Sequence, residues 1–182
     1  MYSIIYGPCG GIDLQGELMK KIVALLAVAV LAAACLPKLP DLPEVPTLGK
    51  AELPVATDTE KMWYTSDYDG KPVLIVFMGS WCPWCKKTMP AISALHKKYG
   101  TQVEIVGAFA DGTPGPVRDA VTEHGFTPTA LYGAGELIEE LGVSGFPHTI
   151  LFDKKHRAIK IWEGYRPDME EVVSVEIDKL VK

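Results

Sequence analysis

The sequence contains no uninterrupted apolar stretch approaching the ~18 residues of a membrane-spanning helix. It has no basic excess either: 18 lysines and arginines against 23 aspartates and glutamates leave a net charge of −5. A nucleic-acid binder needs a basic patch to neutralise phosphates, so that class is disfavoured. Cysteine is scarce, and four in 182 residues are too few to staple a disulfide scaffold, so their positions matter more than their number. No internal repeat is present. What remains, 48% hydrophobic and 23% charged residues, is an ordinary globular composition that excludes wholesale disorder. The length suits one domain with room for extra segments.

The front end reads as an address. Met19-Lys20-Lys21 precedes an apolar run from Ile22 to Ala34, thirteen residues that end at Cys35. Two lysines, a short apolar segment and small residues before a cleavage point are the features of a secretory signal. Residues 1–18 ahead of it hold no pattern and are read as a mis-assigned start or an extended n-region. Leu31-Ala32-Ala33-Ala34-Cys35 resembles a bacterial lipoprotein signal, in which the cysteine is lipidated and becomes the mature N-terminus. The usual leucine three residues before the cysteine is replaced by Ala32, and ordinary cleavage after Ala34 is the alternative. Leu36 rather than Asp follows, so nothing marks the chain for inner-membrane retention. Pro37, Pro40, Pro43 and Pro46 then recur every third residue, the repeat of a polyproline II helix. Residues 35–57 are therefore expected to be a lipidated N-terminus with a stiff spacer, and 58–182 the folded domain.

Cys9 precedes the signal and Cys35 is consumed by lipid, which leaves Cys82 and Cys85. A bridge across so short a loop constrains the unfolded chain little, so stapling is a poor reason for the pair. Thiol chemistry is a better one. Half a zinc site is the bland alternative. It needs a second pair of ligands, and His96, His124, His148 and His156 are scattered through the sequence.

Val73 to Met78 is a continuous apolar run and predicts a strand buried on both faces. A helix is expected from the cysteines to about Tyr99, with Met89, Ile92 and Leu95 on one face. Pro83 suits its first turn, and Pro90 should kink its interior. Strands are expected at 103–110, 129–132, 149–153 and 158–162, and helices at 116–124, 134–141 and 168–180. Val172, Val175 and Leu180 should face inward on the last helix. Alternating strands and helices ending in a hairpin and a helix give an α/β domain with a central mixed sheet.

A C-x-x-C that follows a buried strand and opens a helix has a chemical logic. The helix N-terminus carries unpaired amides and partial positive charge, which stabilise a thiolate at Cys82, and the thiolate is the nucleophile. Cys85 lies one turn in, on the same side and deeper. It can cleave a mixed disulfide formed at Cys82.

The segment Phe77-Met78-Gly79-Ser80-Trp81-Cys82-Pro83-Trp84-Cys85-Lys86 resembles the active-site segment of thioredoxins, and Gly142 to Thr149 resembles the segment that carries their cis-proline. With the signal, the spacer and the extra helix and strand material near 111–141, the layout is similar to membrane-tethered thioredoxin-like proteins of the TlpA/ResA type over about residues 58–182. The resemblance implies a thioredoxin-like fold, a central mixed sheet flanked by helices, with a TlpA-type insertion. It implies that Pro147 is cis and stands beside the dithiol, and that the Phe146 backbone pairs with a bound client segment like an added strand. Trp81 and Trp84 would flank the dithiol and shape the docking surface, although Trp81 could simply pack.

Three positions depart from the family pattern. Thioredoxins carry a buried Asp where this chain has Val76. TlpA-like proteins often carry a Glu where it has Thr88. His148 follows the expected cis-proline where thioredoxins have Thr. No obvious acid is left to manage the proton of Cys85.

The expected function is an exported thiol–disulfide oxidoreductase, lipid-anchored on the extracytoplasmic, periplasmic side of a bacterial envelope. Cys82 attacks, Cys85 resolves, and no cofactor or metal is needed. Potentials in this fold run from about −270 mV for thioredoxin to about −120 mV for the strong oxidant DsbA. Cys-Pro-Trp-Cys lacks a histidine between the cysteines, and the resemblance also points to a reductase kept reduced by a membrane electron donor. Its clients would be extracytoplasmic proteins, apocytochrome c among them, and the chain is expected to be a monomer with no nucleic-acid partner. The alternatives are a disulfide-forming oxidase, or a copper-binding assembly factor using Cys82, Cys85 and His148, since soft thiolates suit Cu(I).

Overall fold

A computed structural model describes residues 45–182. The expected signal, the expected lipidation site Cys35 and most of the proline-rich spacer lie outside the described residues. Strand β1 (Glu52–Pro54) and β2 (Met62–Tyr64) pair as an antiparallel hairpin. A 3-10 turn over Thr65–Tyr68 leads to β3 (Val73–Met78), followed by helix α1 (Pro83–Tyr99), β4 (Glu104–Phe109) and α2 (Pro114–Glu123). Then come β5 (Thr129–Leu131), α3 (Gly135–Glu140), β6 (His148–Phe152), β7 (Ala158–Glu163) and α4 (Met169–Val181).

Five strands form one mixed sheet in the order β5-β4-β3-β6-β7. β3, β4 and β5 are parallel neighbours, and β6 and β7 run antiparallel. The all-apolar run of β3 fits its central place, where every residue is buried. Its side chains alternate between two layers. Leu74, Val76 and Met78 face the layer that contains Cys85, Met89 and Ile92 of α1 and Met169, Val173 and Ile177 of α4. Val73, Ile75 and Phe77 face the other layer, filled by Leu53, Trp63, Leu137 and Phe152. Segment 111–141 contributes α2, β5 and α3 between β4 and β6.

The structure moves several expected boundaries. The packed unit begins at Val45, not at residue 58. Leu48 N–H donates to the His156 carbonyl and Ala158 N–H to the Pro46 carbonyl, both at 2.8 Å. Ala56 N–H donates to the Ala130 carbonyl at 2.8 Å, and Leu48, Leu53, Val55 and Ala56 are buried. The short β1 run carries too little periodicity to be read as a strand. On α4, Val175 is 52% exposed while Met169, Val173 and Ile177 are buried. Val172 and Leu180 lie at the margin of the core, so the inward face is turned from the expected one. α2 opens at Pro114, two residues early, because both prolines fit a first turn that needs no amide donor. α1 is one helix through Pro90. That proline is on the exposed side, and having no N–H it cannot serve the Lys86 carbonyl one turn earlier.

Gly107 on β4 is a packing constraint. A Cβ there would lie 2.8 Å from Phe126 Cζ and 2.9 Å from Met78 Cε. Overpacking of this kind costs about 1–3 kcal/mol. Gly107→Ala is therefore expected to lower the unfolding free energy by roughly that amount in urea titration, with the slope m unchanged.

Candidate active site

The reactive pair sits where β3 ends. A tight loop, Gly79 to Trp81, turns the chain into α1, and the Cys82 N–H donates to the Gly79 carbonyl at 3.0 Å. A side chain at Gly79 would put its Cβ 2.7 Å from the Trp81 indole, so glycine lets that ring fold back over the loop. Cys82 is the N-cap of α1, in extended backbone, and Pro83 is the first helical residue. The Cys82 sulfur accepts the Cys85 N–H at 3.2 Å, taking up one of the helix's free amides. Its thiol donates to the Phe146 carbonyl at 3.8 Å. The Phe146–Pro147 peptide bond is cis, and the Pro147 carbonyl accepts the Gly164 N–H at 2.8 Å, tying this loop to the end of β7.

The two sulfurs are unequal. Cys82 is 9% exposed, less open than expected at a helix start, and Cys85 is fully buried. Both are free thiols. Burial pushes the Cys85 thiol well up, and its interaction with Cys82 adds to the shift. Removing the Cys85 proton is therefore the difficult step, whereas Cys82 has a helix amide at its sulfur.

Around the pair stands an aromatic rim. Trp81 is 61% and Trp84 52% exposed. Trp84 stacks on Tyr165 with centroids 5.3 Å apart, and the Lys87 ammonium lies 4.3 Å from the Trp84 ring. Tyr165 was missed in the sequence because nothing local links the end of β7 to α1. Asp111, just past β4, was missed too. It is buried and accepts both the Ser80 N–H at 3.0 Å and the Ser80 hydroxyl at 2.5 Å, pinning the loop before Cys82. An acidic residue shortly after a buried strand was the available signal.

The places of the missing acids are apolar or already occupied. Val76 is fully buried. Thr88 is buried and spends its hydroxyl on the Trp84 carbonyl at 3.0 Å. His148 pairs in register with Phe77 and packs edge-on against that ring at 6.5 Å, in the sheet layer opposite the cysteines. Among the described residues no three His, Cys, Asp or Glu side chains gather as metal ligands. Cys82, Cys85 and His148 thus do not converge, and the copper reading loses the geometry it needs.

A model of the Redoxin family matches residues 39–176. The chain belongs to the Redoxin family. Among curated relatives, this Redoxin chain is 36% identical over 113 residues to the thiol-disulfide oxidoreductase ResA of Bacillus thuringiensis, a match covering 60% of this chain and 65% of the relative. It is 30% identical over 101 residues to ResA of Bacillus subtilis, covering 54% and 56%. The chain thus spans less than two thirds of the curated relatives' length. Among solved structures it is similar to the thioredoxin domain of a thiol-disulfide oxidoreductase from Bacteroides vulgatus, with a TM-score of 0.65 and 20% identity over 78% of this chain and all of that one. The exposed lipoprotein thioredoxin of Streptococcus pneumoniae matches with a TM-score of 0.58 and 23% identity, over 71% and 99%. The fold is thioredoxin-like.

Two outcomes follow for this site. Iodoacetamide on the reduced protein near neutral pH should label Cys82 at least about tenfold faster than Cys85, because only the thiolate reacts and Cys85 holds its proton; peptide mass spectrometry reads the ratio, and faster labelling of Cys85 would reverse the two roles. His148 gives a pH dependence. Burial lowers its proton affinity, more than Glu163 restores it. The unfolded state then takes the proton first as pH falls below about 6.5. Stability is full above that pH and declines below it, by at most about 1.4 kcal/mol per pH unit for one group. His148→Thr should flatten this decline, measured by urea unfolding between about pH 7.5 and pH 5.5, roughly one unit either side of the free imidazole value.

Proposed function

We propose that this protein is a thiol–disulfide oxidoreductase working outside the cytoplasm. The observation that carries the reading is the unequal dithiol: Cys82 capping a helix beside the Phe146–Pro147 loop, with Cys85 buried behind it. The Cys82 thiolate attacks a client disulfide. One client sulfur leaves as a thiol, and the other stays bonded to Cys82. Cys85 then gives up its proton and attacks the Cys82 sulfur, the mixed disulfide breaks, and the second client thiol is released. The chain is left with a Cys82–Cys85 disulfide, and an external reductant must return it to the dithiol.

The aromatic rim suits a polypeptide client. Trp81, Trp84 and Tyr165 offer stacking area, and a client strand would pair with the Phe146 backbone in place of the Cys82 thiol that its carbonyl now accepts. The clients under this reading are disulfide-bearing proteins of the cell envelope, including apocytochrome c, and the reductant is a membrane electron donor. Lys20-Lys21, the apolar run and Cys35 support export and lipid anchoring. The reductase direction rests on the resemblance to ResA-type proteins and on Cys-Pro-Trp-Cys having no histidine between its cysteines.

Cys85→Ser removes the resolving sulfur at nearly constant size. It should accumulate client proteins on Cys82 as complexes seen on non-reducing gels and lost with reductant, at several times the wild-type level. Cys82→Ser should trap nothing comparable. Absence of any complex with Cys85→Ser, in cells that retain the protein, would refute the reading.

A further inference from the structure

Asp111 is 7% exposed, and none of the ion pairs among the described residues includes it. A carboxylate taken out of water without a cation costs folding free energy, so its hydrogen bonds have to offset that. Both of its side-chain bonds go to one residue. Ser80 gives Oδ2 its N–H at 3.0 Å and Oδ1 its hydroxyl at 2.5 Å. Hydrogen bonds to a carboxylate are roughly twice as strong as neutral ones, and two on one residue fix its orientation as well as its place. The main chain around Asp111 is held in turn. The Ala110 N–H donates to the Met78 carbonyl at 2.9 Å, and the Asp111 carbonyl accepts the Gly133 N–H at 2.8 Å. The end of β4 and the turn between β5 and α3 thus form a fixed base for the grip on Ser80.

Ser80 belongs to the turn that delivers Cys82. Residues 79–82 close that turn through the Cys82 N–H and the Gly79 carbonyl at 3.0 Å, with Ser80 and Trp81 at its centre. Trp81 is mostly exposed and folds back on Gly79 of the same turn. The two bonds from Ser80 instead tie the turn to the neighbouring strand. The Cys82 sulfur meets its partners on two other segments: the Cys85 N–H of α1 at 3.2 Å and the Phe146 carbonyl at 3.8 Å. Any shift of the turn changes both separations.

We infer that Asp111 is a positioning residue for the attack on a client disulfide: through Ser80 it fixes the turn that seats the Cys82 sulfur on the Cys85 amide of α1. This rests on the oxidoreductase reading, which makes Cys82 the attacking sulfur. Asp111 acts by its bonds and not by its charge. A negative charge acting through space opposes a thiolate, so by that route its removal would speed Cys82. Removal of the grip slows Cys82, because the freed sulfur loses its hold on the helix amide. The two routes have opposite signs.

Iodoacetamide labelling of the reduced full chain at neutral pH, read by peptide mass spectrometry, follows Cys82 without any client. With Asp111→Ala the Cys82 rate should fall roughly tenfold, the scale of one hydrogen bond to a charged group. Asp111→Asn keeps both bonds in neutral form, its amide N–H donating to the Ser80 oxygen, and should fall between Ala and wild type. Ser80→Ala keeps only the N–H bond and should also be intermediate. Urea unfolding gives the folded fraction of each variant. A protein that loses stability yet stays folded keeps its Cys82 rate, so a merely structural role would leave labelling unchanged. If Asp111→Ala does not fold, Cys82 and Cys85 label alike, and Ser80→Ala decides. An unchanged Cys82 rate in the deciding variant, a faster rate in both Asp111 variants, or an Asn variant no faster than Ala would each overturn the inference. None of these outcomes touches the oxidoreductase reading, which stands or falls on the complexes trapped by Cys85→Ser.

Discussion

β3 is buried on both faces, and that constraint organises everything else. A strand with no solvent face must be paired on both edges and covered on both sides, which fixes it at the centre of the sheet between β4 and β6. Its last residue then delivers the chain to one end of the sheet, where α1 begins. The start of α1 has to lie over the sheet because Met89, Ile92 and Leu95 are needed to cover it. Cys82 thus acquires a helix N-terminus from the same burial that holds the core together. β6, pinned on the other edge of β3, brings the Phe146–Pro147 loop to the same end.

The chemistry follows from one helical turn of depth. Two residues separate two chemically identical side chains, and the helix carries the second of them under the first. Cys82 keeps an amide donor at its sulfur and a route to solvent. Cys85 loses both solvent and ready ionisation. In the proposed reaction the same asymmetry makes Cys82 the attacker and Cys85 the slower to respond. Under the proposed function, release of a client is governed by how the interior treats a transient negative charge at Cys85.

Local pattern carried most of the fold. The apolar run of β3, the cysteine pair opening a helix and the strand pair at the end were all legible, because burial on two faces and helix capping leave marks within a few residues. Features made by contact between distant segments were not. The hairpin 52–64 was invisible because three-residue strands have no period to detect. Val175 was placed inward because an apolar residue on a helix is not by itself evidence of burial. Asp111 and Tyr165 reach the site only through the sheet's strand order. The site's two sulfurs were readable from spacing, and Pro147 from the resemblance, whereas the facing of His148 away from them needed the register of β6.

The stitching of residues 46–48 to the β6–β7 turn also sets an orientation. Pro46 and Leu48 bond to Ala158 and His156, at the end of β6 remote from Pro147, and the five residues of β6 span roughly 16 Å at ~3.3 Å each. Pro46 and Leu48 therefore lie at one pole of the sheet and Cys82 at the other. The length of β6 stands between the entry of the chain at Pro46 and the end of the sheet where Cys82 and the Phe146–Pro147 loop meet.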